Sequence, residues 1–437
     1  MFSASAILGD KLRLPPLATK ESDALASTPS DEFYMDAEFI PTSVAISGLP
    51  PSPASDAIVD KMGAGDVQWK PATEAMPETP LLVGPDVPPC DLACAGEIDD
   101  AWLAGAYALI ATRPELLLHL FGSIDHLEKG IITLRLFKHG VWQPVTIDTM
   151  LPCRSDGRPC FIHASEGECL WPSLLTKALA KLHGSFNSLS GGMIADALVD
   201  LTAGHVSQSA VSMPDFPDEH AAYLDGIWKT LQKNAKKGVL MGIVATTKKP
   251  ASAQEPPPAA DGEEADAEAA ASALLSGEES YGVLPGRLYP ILHVKEPQQG
   301  MRLVCLRNPW VEVPAQGTSK VRPWSAESVE WERYPDVAEE LLPLSDGVGK
   351  CMWMELKDLV LCSEQLISLT VAGSNTEAVV CEGTWHEATC GGPRNMPSWC
   401  INPQVCMHAR DSPAAHSNAT TLMLTRTALS VCLRSIG

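Results

Sequence analysis

Cys94-Ala-Gly-Glu-Ile-Asp-Asp-Ala-Trp102, running on through Leu103-Ala-Gly-Ala-Tyr-Ala-Leu-Ile110, is the stretch that orders the rest of the chain. Two acids stand before an apolar run in which Trp102, Leu103, Ala106, Leu109 and Ile110 recur at spacings of three to four. This predicts a buried helix from about Asp99, with Asp99 or Asp100 placed to cap it.

Outward from that helix the periods change. Ile131 to Ile147 predicts two strands around a turn at His139-Gly140. Trp171 to Leu182 predicts a helix with Pro172 in its first turn, and Ala195 to Leu201 another. Leu224 to Lys237 is helical and ends at Gly238, before the buried-strand run Val239 to Ala245. Later strands are expected at Arg287–Val294, Arg302–Arg307, Lys350–Leu356 and Leu366–Val371. Helices early and strands late predict an α+β protein of two lobes. The expected layout is a loose tail over 1–30, a helical lobe over 31–210 and a β lobe over 211–372. Proline-rich 31–88 reads as extended chain and loops, and 373–437 as part of a β-sandwich.

Composition narrows the function classes. The chain has 437 residues, 45% hydrophobic, enough for two or three domains with real cores. Its net charge of −22 argues against nucleic acid and anionic membrane as partners. Eight Asp or Glu and no Lys or Arg fall between 251 and 280, within an acidic insertion at 248–280 that reads as a disordered surface loop. Thirteen cysteines without a CxxC pair predict free buried thiols rather than a disulfide scaffold or zinc site. No apolar stretch reaches the ~20 residues of a membrane helix, and the N-terminus lacks a charged n-region. Cytosolic location is the expectation.

The opening stretch resembles the Cys-Gln-Gly-Glu-Leu-Gly-Asp-Cys-Trp element of calpains, the papain-like cysteine proteases. Further stretches resemble calpain in calpain order. Trp69-Lys-Pro is similar to the element upstream of the catalytic helix, and Val145-Thr-Ile-Asp-Thr-Met-Leu-Pro152 to the Ile-Asp-Asp-x-Leu-Pro signature. Glu168 to Phe186, followed by Gly191-Gly192, resembles the family's Glu-Phe-Trp helix. Arg307-Asn-Pro-Trp310 resembles the third catalytic motif, and Asp346-Gly347 with Met352-Trp-Met354 the end of the protease core. Gly391 to Gln404 resembles the opening of the calpain β-sandwich. The resemblance implies a papain-like core with a helical and an antiparallel β lobe, followed by the start of a sandwich.

It also implies where chemistry belongs. Papain-like hydrolysis needs a thiolate at a helix N-terminus, an imidazole, an Asn to orient it, and an oxyanion donor. On the matched positions Ala101 stands for the cysteine and Ala95 for the oxyanion glutamine. Arg287, in Gly282-Val-Leu-Pro-Gly-Arg-Leu-Tyr289, stands for the histidine. Asn308 and the supporting Trp310 persist. A methyl group is no nucleophile, and a guanidinium is no base near neutral pH. His293 shares the facing parity of Arg287 but lies ~20 Å along the strand at ~3.3 Å per residue. Cys94 lies ahead of the helix rather than at its tip. Arg287 is expected in the inter-lobe cleft, with Asp99 and Asp100 its nearest carboxylates.

The family's calcium positions are thinned in the same way. Asn187, Ala326 and Val348 stand where the resemblance implies acids, and Asp346 remains as a vestige. The expectation is no cofactor, with calcium conceivable only at those vestigial sites. The function expected is a calpain-like pseudoprotease that works as a protein-binding or scaffold protein. The alternatives are an active calcium-dependent cysteine endopeptidase whose catalytic residues lie elsewhere, and a gene fragment of one. An inactive calpain-like region also occurs in the androglobins, joined there to a globin. That narrower likeness would imply a ciliary scaffold, although no globin segment is read in this chain.

Overall fold

The computed structural model describes residues 18–29, 32–76, 91–93, 100–164, 169–246, 283–310, 323–325, 328–344, 351–371, 381–384 and 430–433. The expected tail is helical from Ala18 to Ser27 (α1), where buried Glu21 accepts a hydrogen bond from Ser123 Oγ at 2.7 Å. The expected loops of 31–88 contain further helices, beginning with α2 (Ser43–Ser47) and α3 (Pro53–Lys61). Proline misleads there. Pro53 occupies the first turn of α3, where a missing N–H costs nothing, and Ser52 and Ser55 cap each other's backbone reciprocally. Strand β1 (Gln68–Pro71) and the turn of helix α4 (Ala72–Ala75) follow.

After β2 (Leu92–Ala93) comes α5 (Ala101–Ala111), buried from Leu103 to its end. Asp100 precedes it as expected, but its carboxylate does not cap; its carbonyl accepts from Leu103 and Ala104 N–H instead. Helix α6 (Pro114–Leu120) leads into β3 (Phe121–Ser123), which pairs with the hairpin of β4 (Ile131–Lys138) and β5 (Val141–Asp148). The expected turn holds: His139 and Gly140 take φ of 53° and 80°, the pair of positive values a tight hairpin turn requires. Strands β6 (Met150–Cys153) and β7 (His163–Ala164) pair with β1 and β2. The two expected helices follow as α7 (Trp171–His183) and α8 (Ile194–Thr202).

A buried ion network ties the N-terminal strap to this lobe. Lys177 and Asp148, both fully buried, form an ion pair, and Lys177 Nζ also donates to Met150 O at 2.6 Å. The other oxygen of Asp148 accepts from the backbone N–H of Asp36 at 2.9 Å. Lys181 Nζ reaches Asp36 Oδ2 at 2.7 Å and Thr146 O at 2.8 Å. Burial lowers the Lys177 pKa, opposed chiefly by the charge and hydrogen bond of Asp148.

A six-stranded antiparallel sheet has the order β12 (Cys351–Glu355), β11 (Leu303–Arg307), β10 (Leu288–Lys295), β9 (Leu240–Ala245), β13 (Ser363–Thr370) and β8 (His205–Ala210). Strand β8 (His205–Ala210) lies before the lobe boundary expected at 210, yet it pairs with β13 (Ser363–Thr370) as an edge of this sheet. Ala203, at φ 51°, ends α8 in a left-handed turn and throws the chain across. Helix α9 (His220–Lys236) covers the sheet, and the apolar run 239–245 becomes the fully buried β9 (Leu240–Ala245). Next come β10 (Leu288–Lys295) and β11 (Leu303–Arg307). A register shift between Ile291 and His293 reverses the alternation of β10. His293 pairs with Cys305 and so faces away from the side of Ile291, and the parity shared with Arg287 is lost.

Helices α10 (Glu330–Arg333) and α11 (Pro335–Leu341) enclose a small second core of Leu303, Cys305, Trp324, Trp331 and Trp353. Strand β12 (Cys351–Glu355) and helix α12 (Leu356–Leu361) close the lobe. Of the expected sandwich, β14 (Cys381–Thr384) and β15 (Ser430–Leu433) pair antiparallel, and the rest lies outside the described residues. So does the acidic insertion. No helix among the described residues is long and apolar enough to cross a membrane.

One buried histidine makes stability depend on pH. His119 Nε2 has no hydrogen-bond partner, and its ring packs edge-on to Trp142. Burial, helped by the charge of Arg135, lowers its pKa from 6.5 to about 4. The unfolded chain therefore takes up this proton first. The contribution is whole above pH 6.5 and is lost as pH falls toward 4, by up to ~3 kcal/mol. Urea titrations across that window should show His119→Leu with a flatter slope than the parent; equal slopes would contradict this assignment.

Candidate functional site

Of the residues matched to the catalytic positions, Ala101, Arg287, Asn308 and Trp310 fall in described structure. Ala101 is the first residue of α5 and is half-buried. Gly105 lies one turn along the same helix face. A β-carbon at Gly105 would stand 2.9 Å from Leu288 Cβ, so this face of α5 is pressed onto the start of β10. Arg287 immediately precedes that strand. Its backbone is fixed by Leu284 O and Ala245 N, in a turn for which Gly286 supplies φ of 70°.

The Arg307-Asn-Pro-Trp310 segment comes up against the same point. Trp310 is fully buried and donates through Nε1 to Leu288 O at 3.1 Å. The half-buried guanidinium of Arg287 lies over its ring, 4.7 Å from the centroid, within the range of a cation–π contact. Asn308 is buried, and its Oδ1 accepts from the Trp310 backbone N–H at 3.1 Å. The side-chain oxygen thus braces its own turn. Strand β2 arrives from the other lobe: Leu92 N–H donates to Pro309 O, and Leu92 forms a parallel bridge with Trp310. Arg307, fully buried, donates to Asp91 at 3.1 Å just before it. The segments flanking the helix start, the Arg287 turn and the Asn308 turn are therefore brought together where the lobes meet.

Ala95 and Asp346 lie outside the described residues, as do Ala326 and Val348. Asn187 opens a short 3₁₀ turn and offers an amide, not a carboxylate. Among the described residues no group of three or more His, Cys, Asp or Glu side chains could hold a metal ion. Cys153, Cys160, Cys169, Cys305 and Cys362 are buried thiols outside any disulfide, and Cys351 is a half-buried one.

Sequence reasoning missed two contacts of this region. Trp102 donates through Nε1 to Leu189 O at 3.1 Å, and its ring lies against Gly192, where a β-carbon would be only 2.6 Å away. The signal was present in the paired glycines 191–192, since one of them must admit a flat ring. The Arg287–Trp310 contact carried no such mark. It joins segments 23 residues apart and depends on the turn between β10 and β11.

A family model described as calpain family cysteine protease matches residues 34–368. Over 93% of its length the chain is 28% identical to the calpain-type cysteine protease DEK1 of Arabidopsis thaliana, and it covers 17% of that protein. It is 28% identical over 90% of its length to the calpain-type cysteine protease ADL1 of Oryza sativa subsp. japonica, covering 16% of it. With the calpain-1 catalytic subunit of Mus musculus it shares 30% identity over 77% of its length, covering 44% of that protein. The chain thus spans less than half the length of these relatives.

Proposed function

This chain belongs to the calpain family of cysteine proteases, and we propose that it keeps the family's core without its chemistry, as a pseudoprotease that binds or scaffolds other proteins. The observation that carries the reading is Ala101 at the first position of α5, where the helix dipole would favour a thiolate. Its methyl has no lone pair to attack a carbonyl. Arg287, beside the strand packed on that helix, presents a guanidinium, a donor-only group, where the chemistry needs an imidazole base. Asn308 has no imidazole at the matched position to orient, and its oxygen is used by Trp310 N–H. None of Cys153, Cys160, Cys169, Cys305, Cys351 and Cys362 lies on α5 or β2. Calcium, on this reading, is not required, because several matched positions lack carboxylates.

The test is direct. Pure full-length chain, incubated with casein and a calpain peptide with and without calcium, should release no product above blank. Ala101→Cys alone should stay at background, because the base is still missing. Cleavage by the parent chain that a thiol alkylator blocks would overturn the pseudoprotease reading. Affinity purification followed by mass spectrometry tests the binding half, and recovery of no protein above control would count against a scaffold.

A further inference from the structure

Two cysteines come close on adjacent strands of the β lobe. In the ladder of β11 and β12, Cys305 pairs with Trp353 and Cys351 with Arg307. Cys305 and Cys351 are therefore diagonal neighbours on one face of the sheet. Cys305 is the thiol placed to donate toward the Cys351 sulfur. Cys305 is fully buried, while Cys351 is half-buried. The register sets Arg307 directly opposite Cys351.

We propose that Cys305 and Cys351 form an oxidisable dithiol that a hydroperoxide converts to a cross-strand disulfide. Their unequal settings suit them to different steps. The hydrogen bond from Cys305 lowers the Cys351 pKa, aided by the charge of Arg307 and opposed by burial. The same bond, with burial, raises that of Cys305. Cys351 is thus the attacking thiolate and Cys305 the resolving thiol. The Cys351 sulfur attacks one peroxide oxygen, the O–O bond breaks, and the departing hydroxide takes up a proton as water. The product is Cys351 sulfenic acid. The Cys305 sulfur then attacks the Cys351 sulfur and the S–OH bond breaks. The hydroxide leaves with the proton Cys305 gives up, as a second water. Two thiols lose two electrons in all, and hydrogen peroxide becomes two waters.

Geometry permits closure at a small displacement. Diagonal Cα atoms stand about 7–8 Å apart in an antiparallel ladder, and disulfides span up to about 6.8 Å. A shift of roughly 1 Å closes the difference. β12 is the edge strand of the described sheet and is hydrogen-bonded on one side only, so it can make that shift without breaking a second ladder.

The full-length chain is treated with a few equivalents of hydrogen peroxide at pH 7.5, and its peptides are mapped without reduction. A Cys305–Cys351 linked peptide is expected. In Cys305→Ser, which cannot resolve, dimedone should trap a sulfenic acid at Cys351. Before oxidation, a small alkylator at pH 8 should label Cys351 at least tenfold faster than Cys153 or Cys160, whose thiols burial pushes up to about 11 and about 12. Oxidation of other cysteines with no Cys305–Cys351 link would overturn the proposal. A Cys351 adduct in Cys305→Ser without any link in the parent would equally remove Cys305 from the pair.

Discussion

Lys177→Met lowers the unfolding free energy by about 3–5 kcal/mol, read as a fall in the urea midpoint at unchanged slope. The size follows from what stays behind. Asp148 is fully buried, and without Lys177 its carboxylate keeps two backbone N–H donors, from Asp36 and Met150, but no counter-charge. Lys181 is the nearest other cation of the network, and it is held by Asp36, Glu38 and Thr146 O. The double variant Lys177→Met with Asp148→Leu should recover part of the loss, because an apolar pair carries no desolvation penalty. A single substitution costing less than ~1 kcal/mol would mean that water reaches the pair.

Trp310→Ala should cost a similar ~3–5 kcal/mol, for a different reason. The ring is fully buried, and its removal leaves a cavity between segments from both lobes. It also strips Arg287 of the surface its guanidinium covers and leaves Leu288 O without its donor. Trp310→Phe separates these contributions. It keeps most of the volume and a ring face and loses the N–H, so about 1–3 kcal/mol is expected. Equal losses for Phe and Ala would show that the indole hydrogen bond, rather than packing, holds the lobes here.

Local features were legible in the sequence, and long-range ones were not. The β4–β5 hairpin follows from two apolar alternations and the His139-Gly140 turn. α7 follows from the apolar run Trp171 to Leu182 with Pro172 in its first turn. Ala101, Arg287, Asn308 and Trp310 could be placed on a helix start, a strand entry and a turn because each sits in a short motif of its own. By contrast, nothing in the spacing of Asp36, Asp148, Lys177 and Lys181 marks them as one network. Their charges read as surface residues until the fold closes around them. The bulge in β10 was equally hidden, since Ile291-Leu292-His293 is apolar enough to continue either alternation. Proline counting failed in the N-terminal strap because the first turn of a helix is the one place in it that tolerates proline.

The strap also sets an order of events. Asp36 must meet Asp148 and Lys181, 112 and 145 residues further along the chain. At roughly 5–20 residues per second, a ribosome delivers Lys181 about 7–30 s after Asp36. For that interval the strap has no partner and its carboxylate stays hydrated. A segment synthesised before the rest of its lobe is thus expected to dock among the last, with the nascent helical lobe open along one seam until α7 has left the exit tunnel.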